Sequence, residues 1–219
     1  MRSEVDQFHD GPILSEEKGQ HVSFLVTLLP YVEQHGIAKN FDIAAGTYAP
    51  VNAAARMQQI HVYICPSFPV GRNSEGSSGL ANYAGCHHDS ETPIDQDNNG
   101  LLYLNSKIRY SDILDGSSNT FLIGETLPIQ DSLAWASETR ATLRNTSDRI
   151  DRYWWESNQY NTIDDPQQVG GFGSIHSGGS HFVMASGAVV SISHAIDPDL
   201  YKNLANRTDG AMMGEQLNQ

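Results

Sequence analysis

The stretch His176 to Ser193, HSGGSHFVMASGAVVSIS, limits the fold more than any other part of the chain. Two apolar runs flank Ser186-Gly187. A small polar residue followed by glycine, between such runs, predicts a tight hairpin, because glycine enters positive φ without steric cost. With those two residues as the loop, Ala185 faces Ala188, Met184 faces Val189 and Val183 faces Val190. Side chains alternate along a strand. One face then carries Val183, Ala185, Ala188, Val190 and Ile192, and the other Phe182, Met184 and Val189. Both are apolar near the turn, so the expectation is a sheet covered on both sides, most simply by a helix on one of them.

The rest of the chain supplies candidates for that cover. In residues 21–35, Phe24, Leu25, Leu28, Leu29 and Val32 fall at helical spacing. Pro30 should kink or divide that helix, and Gly36 should end it. Asn52 is placed to cap a short helix reaching Ile60. Strands are predicted at His61–Cys65, Leu101–Tyr103, Lys107–Tyr110 and Thr120–Glu125. Residues 71–79, 86–100 and 137–168 are predicted as polar loops. After the hairpin, Asp197 should cap a helix with Pro198 in its first turn and Leu200 and Leu204 on its buried side. The predicted class is α+β: an N-terminal helix packed on an antiparallel β-sheet with long loops. It forms a single domain over 1–219, helical at about 20–60 and sheet and loop at about 61–219.

Composition excludes several partners. The formal net charge is −13, with only 13 Lys plus Arg in 219 residues. Nucleic acids and anionic membrane surfaces both need a basic patch, so neither is an expected partner. No apolar run approaches the roughly 18 residues of a membrane span, so no membrane contact by this segment is expected. The patterns G-x-S-x-G, H-E-x-x-H and the P-loop are absent. Two cysteines, Cys65 and Cys86, leave either one bridge or two free thiols open, and without a C-x-x-C pattern a redox motif or zinc ribbon is not expected.

Three groups of residues could bind a ligand. Asp95, Asp97 and Asn99, with Gly100 sixth, match the opening of an EF-hand calcium loop. The twelfth position is Ser106 rather than a bidentate glutamate, so an EF-hand is rejected. A looser calcium loop, completed by carbonyls, water, Asp89 or Glu91, stands beside the reading as a plain acidic turn. His87-His88-Asp89 and the hairpin histidines His176, His181 and His194 could serve a metal-dependent hydrolase, although adjacent His87 and His88 point opposite ways in an extended chain. Trp154 and Trp155, with Trp135, Tyr153 and Tyr160, could stack on a glycan or small solute, or close a small core of their own.

Seven segments, taken in order, carry a family resemblance: 28–34, 63–67, 82–89, 98–125, 140–146, 170–193 and 204–210. The chain resembles the planctomycete family called domain of unknown function 1559, whose members look like type II secretion pseudopilins or type IV pilins. The family carries a His-x9-Asp-Gly motif. Counting nine residues past His176 here lands on Ser186-Gly187, so serine replaces the aspartate. The family's prepilin leader and apolar stalk helix are not seen either, and the resemblance implies a globular head apart from its stalk. It also implies a Cys65–Cys86 disulfide and a location outside the cell or on its surface. The function expected is a non-enzymatic structural or assembly subunit whose partners are other pilin-like subunits or secretion proteins. A secreted glycan-binding module is the first alternative and a metal-dependent hydrolase the second. Calcium is the one cofactor the chain suggests.

Overall fold

The computed structural model describes residues 12–16, 18–68, 79–128, 133–150 and 165–210. Its centre is a five-stranded sheet of β1 (Tyr83–His88), β2 (Phe121–Glu125), β3 (Leu143–Asn145), β4 (Gly179–Met184) and β5 (Val189–Ser193) in the order β3-β1-β2-β4-β5. β1 pairs parallel with β3; the other neighbours are antiparallel, so the sheet is mixed rather than purely antiparallel.

The hairpin forms where the sequence places it, but one residue out of the expected register. The Met184 amide donates to the Ala188 carbonyl at 2.8 Å, and the Gly187 amide to the Met184 carbonyl at 2.8 Å. The loop is therefore Ala185-Ser186-Gly187, with Gly187 at φ 86°. A three-residue loop ending in a left-handed glycine suits the right-handed strand twist. Val183 then faces Val189, and Phe182 faces Val190. A slip of one residue exchanges the faces. Phe182 and Met184 join Val190 and Ile192 on one side, while His181, Val183, Val189 and Ser191 share the other. The expectation of two equally apolar, covered faces is corrected: Val189 is 67% exposed.

The buried face is closed by the last helix, α4 (Pro198–Asn203). Asp197 caps it as predicted, accepting from the Asp199 and Leu200 amides at 3.0 Å. Tyr201 and Leu204 face inward, with Tyr201 taking the place predicted for Leu200. They pack on Phe121, Phe172, Phe182 and Met184. Phe121 stacks on Phe182 with ring centroids 4.2 Å apart. Gly124 admits that cluster, because a Cβ there would lie 2.5 Å from the Phe182 ring.

The N-terminal helices build a second core. Ser23 caps α1 (Phe24–Leu28) by accepting from the Leu25 amide. Pro30 then divides the segment as expected: a 3-10 turn covers Leu29–Val32, and Glu33 turns left-handed at φ 62°. α2 (His35–Asn40) follows with Gly36 inside it, so Glu33 rather than Gly36 ends the first helical stretch. Leu25, Val26 and Leu29 pack with Phe41, Tyr63, Ala81 and Trp135, a cluster without a strand residue. The helix that packs on the sheet is thus the C-terminal one. Asn52 precedes α3 (Ala53–Arg56) but its side chain does not cap it. It holds the neighbouring loop instead, accepting from the Asp42 amide and donating to the Asp42 and Gly46 carbonyls, each at 2.7 Å.

Three predicted strand regions take other forms, among them Lys107–Tyr110, which forms no strand and runs into a 3-10 turn at Tyr110–Asp112. His61–Tyr63 is a 3-10 turn. Leu101–Tyr103 forms no strand, although the Leu101 and Leu102 amides both reach the Cys86 carbonyl. β1 already has β2 and β3 as its neighbours, so no free edge remains there.

Candidate functional site

The sheet face turned away from α4 carries Tyr83 opposite Glu125. Because Gly124 pairs with Phe182, His181 is the next residue across from Glu125. Glu125 ends an otherwise apolar strand and is only 5% exposed. Burying a carboxylate demands compensating partners, and several converge on it. Oε2 accepts from the His181 amide at 2.7 Å and from His181 Nδ1 at 3.1 Å. Oε1 meets His176 Nε2 at 3.2 Å.

That same Nε2 lies 3.5 Å from Cys65 Sγ. Among the described residues, Cys65, Glu125 and His176 form one group whose ligand atoms all lie within 4.8 Å of one another. Asn82, only 2% exposed, fixes the cysteine in place. Its Oδ1 accepts from the Cys65 amide at 3.2 Å, and its Nδ2 donates to the Thr126 carbonyl at 3.1 Å. His176 is fixed by its backbone: its amide donates to Ser174 Oγ at 3.1 Å. Burial raises the Tyr83 hydroxyl above its ordinary range, and the Cys65 and Glu125 charges add to this.

The chemistry of the trio follows from that shared atom. A nucleophilic relay uses both nitrogens of its histidine, one for the nucleophile and one for the orienting carboxylate. Here thiol and carboxylate meet one nitrogen, so the arrangement does not form such a relay.

The structure separates residues the sequence invites one to group. Cys65 and Cys86 are both free, so the expected disulfide is corrected. Cys86 lies in the sheet core with Ala84 and Phe121, where burial pushes its thiol well above the usual thiol range. Cys65 belongs to another apolar cluster with Ile64, Phe68 and Leu127. His87 and His88 do not join the hairpin histidines. His87 is fully buried and its Nδ1 meets Asn98 Oδ1 at 3.2 Å. Asp89 is saturated with donors: Ser90 Oγ, Asn99 Nδ2 and Asn206 Nδ2 reach it at 2.7, 2.7 and 2.8 Å. Burial would raise its carboxyl, but hydrogen bonds from His88, Ser90 and Asn206 outweigh it and hold the group well below the usual range. The hydrolase constellation is therefore split, with His176 and His181 alone at the Glu125 site.

In the acidic loop, Asp95 accepts from its neighbour's amide at 2.7 Å and Asn99 Oδ1 from the Asp89 amide at 3.1 Å. Arg207 takes three backbone carbonyls of this loop. Its guanidinium donates to Asn98 and Gly100, each at 2.8 Å, and its amide to Asn99 at 3.1 Å. Glu91 binds the Val169 and Gly170 amides instead of completing the loop. Among the described residues, the group of three His, Cys, Asp or Glu ligand atoms lying together is that of Cys65, and Asp95 and Asp97 do not join a third residue of those types. Trp154 and Trp155 lie outside the described residues.

Sequence reasoning missed Glu125 and assigned Cys65 a different partner. The available signal was an acidic residue closing the apolar run Phe121-Leu122-Ile123-Gly124. No described helix is long and apolar enough to cross a membrane. No curated protein and no solved structure matches the chain. The family model described as protein of unknown function (DUF1559) matches residues 4–199, in agreement with the ordered motifs, and the chain belongs to that family.

Proposed function

We propose that this protein is a non-enzymatic subunit of pilin-like type, working outside the cell or on its surface, where it is assembled or displayed with neighbouring subunits. The observation that carries this reading is the uneven cover of the sheet. One face is sealed by α4 and the Phe121–Phe182 cluster. The other presents Ile123, Val183 and the 67% exposed Val189, the last on β5, whose one strand neighbour among the described residues is β4. An apolar sheet face beside an open edge is a surface that natural proteins cover with another element or another chain. In pilins an N-terminal helix covers the sheet, and here the N-terminal helices gather around Trp135 instead.

The acidic surface supports the same reading, since it suits protein partners better than nucleic acid or anionic lipid. Tyr110, 70% exposed, donates its hydroxyl to the Ala185 carbonyl and widens the surface at the hairpin tip. Immunogold labelling of the producing cells, with electron microscopy of purified surface material, tests the proposal. Labelled surface structures that disappear on deletion of the gene are expected. Label confined to the cytoplasm would refute it.

A further inference from the structure

We propose that Cys65, Glu125 and His176 are the protein ligands of a zinc ion, with His181 positioning Glu125. The three ligands come from distant parts of the chain: Cys65 and His176 are 111 positions apart, and Glu125 and His176 are 51 apart.

Two of the three ligand edges match zinc, and the third lies within 4.8 Å. With Zn–N and Zn–O near 2.0 Å, Zn–S near 2.3 Å and tetrahedral angles, the N···S edge is about 3.5 Å and the N···O edge about 3.3 Å. The observed edges are 3.5 Å for Cys65 Sγ to His176 Nε2 and 3.2 Å for His176 Nε2 to Glu125 Oε1. Hydrogen bonds can have those lengths too, so the shared atom decides. One proton on Nε2 serves one acceptor well, whereas a cation serves the sulfur, nitrogen and oxygen lone pairs together. The donor set points the same way, because thiolate with imidazole selects zinc over calcium or magnesium. The charges close as well: one thiolate and one carboxylate neutralise a divalent ion in a largely buried place.

The surroundings complete the site. Glu125 Oε2 is held by the His181 amide and ring, leaving Oε1 for the ion. Such outer partners fix the orientation of metal-ligating carboxylates. Beside Cys65 and Glu125 lies a cavity of about 10 Å³ lined also by Asn82 and Thr126. That is about enough for one water as fourth ligand and too little for a substrate. On binding, the Cys65 thiol loses its proton to solvent and Nε2 gives its lone pair to the ion. No electron is transferred. The ion would clamp the segment after Tyr63, the end of β2 and the loop before β4.

The test uses the full chain, stripped with a chelator and titrated with zinc by calorimetry, and with cobalt(II) by absorption. One zinc per chain, a raised Tm and a thiolate-to-cobalt charge-transfer band are expected. Cys65→Ser should abolish the band and weaken zinc binding more than about 100-fold, while His181→Ala, an outer partner, should weaken it about 10–100-fold. His35→Asn, on exposed α2, should change neither. Absence of zinc binding to the wild-type chain, or undiminished binding and an unchanged band in Cys65→Ser, would overturn the site. Neither result depends on whether the protein assembles.

Discussion

His87 gives the sharpest stability prediction. Its ring is fully buried in β1. Nδ1 donates to Asn98 Oδ1, an oxygen that also accepts from the Asp95 amide at 2.9 Å. Nε2 has no partner among the described residues. Protonating it would strand a buried cation, so burial lowers the His87 pKa to about 3, with the Asn98 bond opposing and the charges of His88 and Arg144 assisting. The unfolded chain takes that proton near pH 6.5. Between those values the unfolded state binds more protons, so stability is complete above pH 6.5 and falls with acid down to about pH 3. From pH 7 to pH 5 the folded ring stays neutral, and the loss follows from the unfolded chain alone: about 2 kcal/mol. At an m-value of roughly 2 kcal/mol/M this moves a urea midpoint by about 1 M. Glu138, whose carboxyl burial pushes up to about 8, acts in the same window with opposite sign, so the informative quantity is the difference between wild type and variant. His87→Asn keeps a donor for Asn98 and removes the titrating ring. Urea unfolding of both proteins at pH 7 and pH 5, in chelator, should show that the change in stability on acidification is about 2 kcal/mol less favourable for wild type than for the variant. Equal changes, or an NMR titration of His87 near pH 6.5 in the folded protein, would refute the reasoning.

Three further substitutions test the packing. Gly124→Ala drives a methyl group to 2.5 Å from Phe182, and the overpacked core should lose about 1–3 kcal/mol in urea unfolding. Tyr201→Phe deletes a buried hydroxyl that has no partner among the described residues, so Tm should hold or rise; a fall of several degrees would show that the hydroxyl is satisfied. Asp197→Ala removes the cap of α4 and should cost about 1 kcal/mol by the same unfolding assay.

The central hairpin and the last helix were legible because their signals are local: a turn pair between apolar runs, and Asp-Pro before a helical pattern. The register was not, since Ser186-Gly187 suits a two-residue loop as well as a three-residue one, and hydrogen bonds at Met184 decide between them. Strand propensity at His61–Cys65 gave way to a 3-10 turn over His61–Tyr63. The acidic loop was recognisable as a turn, but its closing cation is Arg207, 107 positions from Gly100, and no spacing rule announces it. The same limit hid the metal-ligand set. Cys65 follows the turn His61–Tyr63, Glu125 ends β2 and His176 precedes β4, and only the tertiary fold brings them together.

The central claim is that the sheet face bearing Ile123, Val183 and Val189 docks a neighbouring subunit. Sedimentation velocity across a range of concentrations tests it most directly, comparing wild type with Val189→Asp, a change at a position exposed enough to leave the fold intact. The wild-type chain should move from its 24.0 kDa monomer toward larger species as concentration rises, and the variant should stay monomeric. A wild-type chain that remains at 24.0 kDa throughout, or a variant that associates equally well, would contradict it.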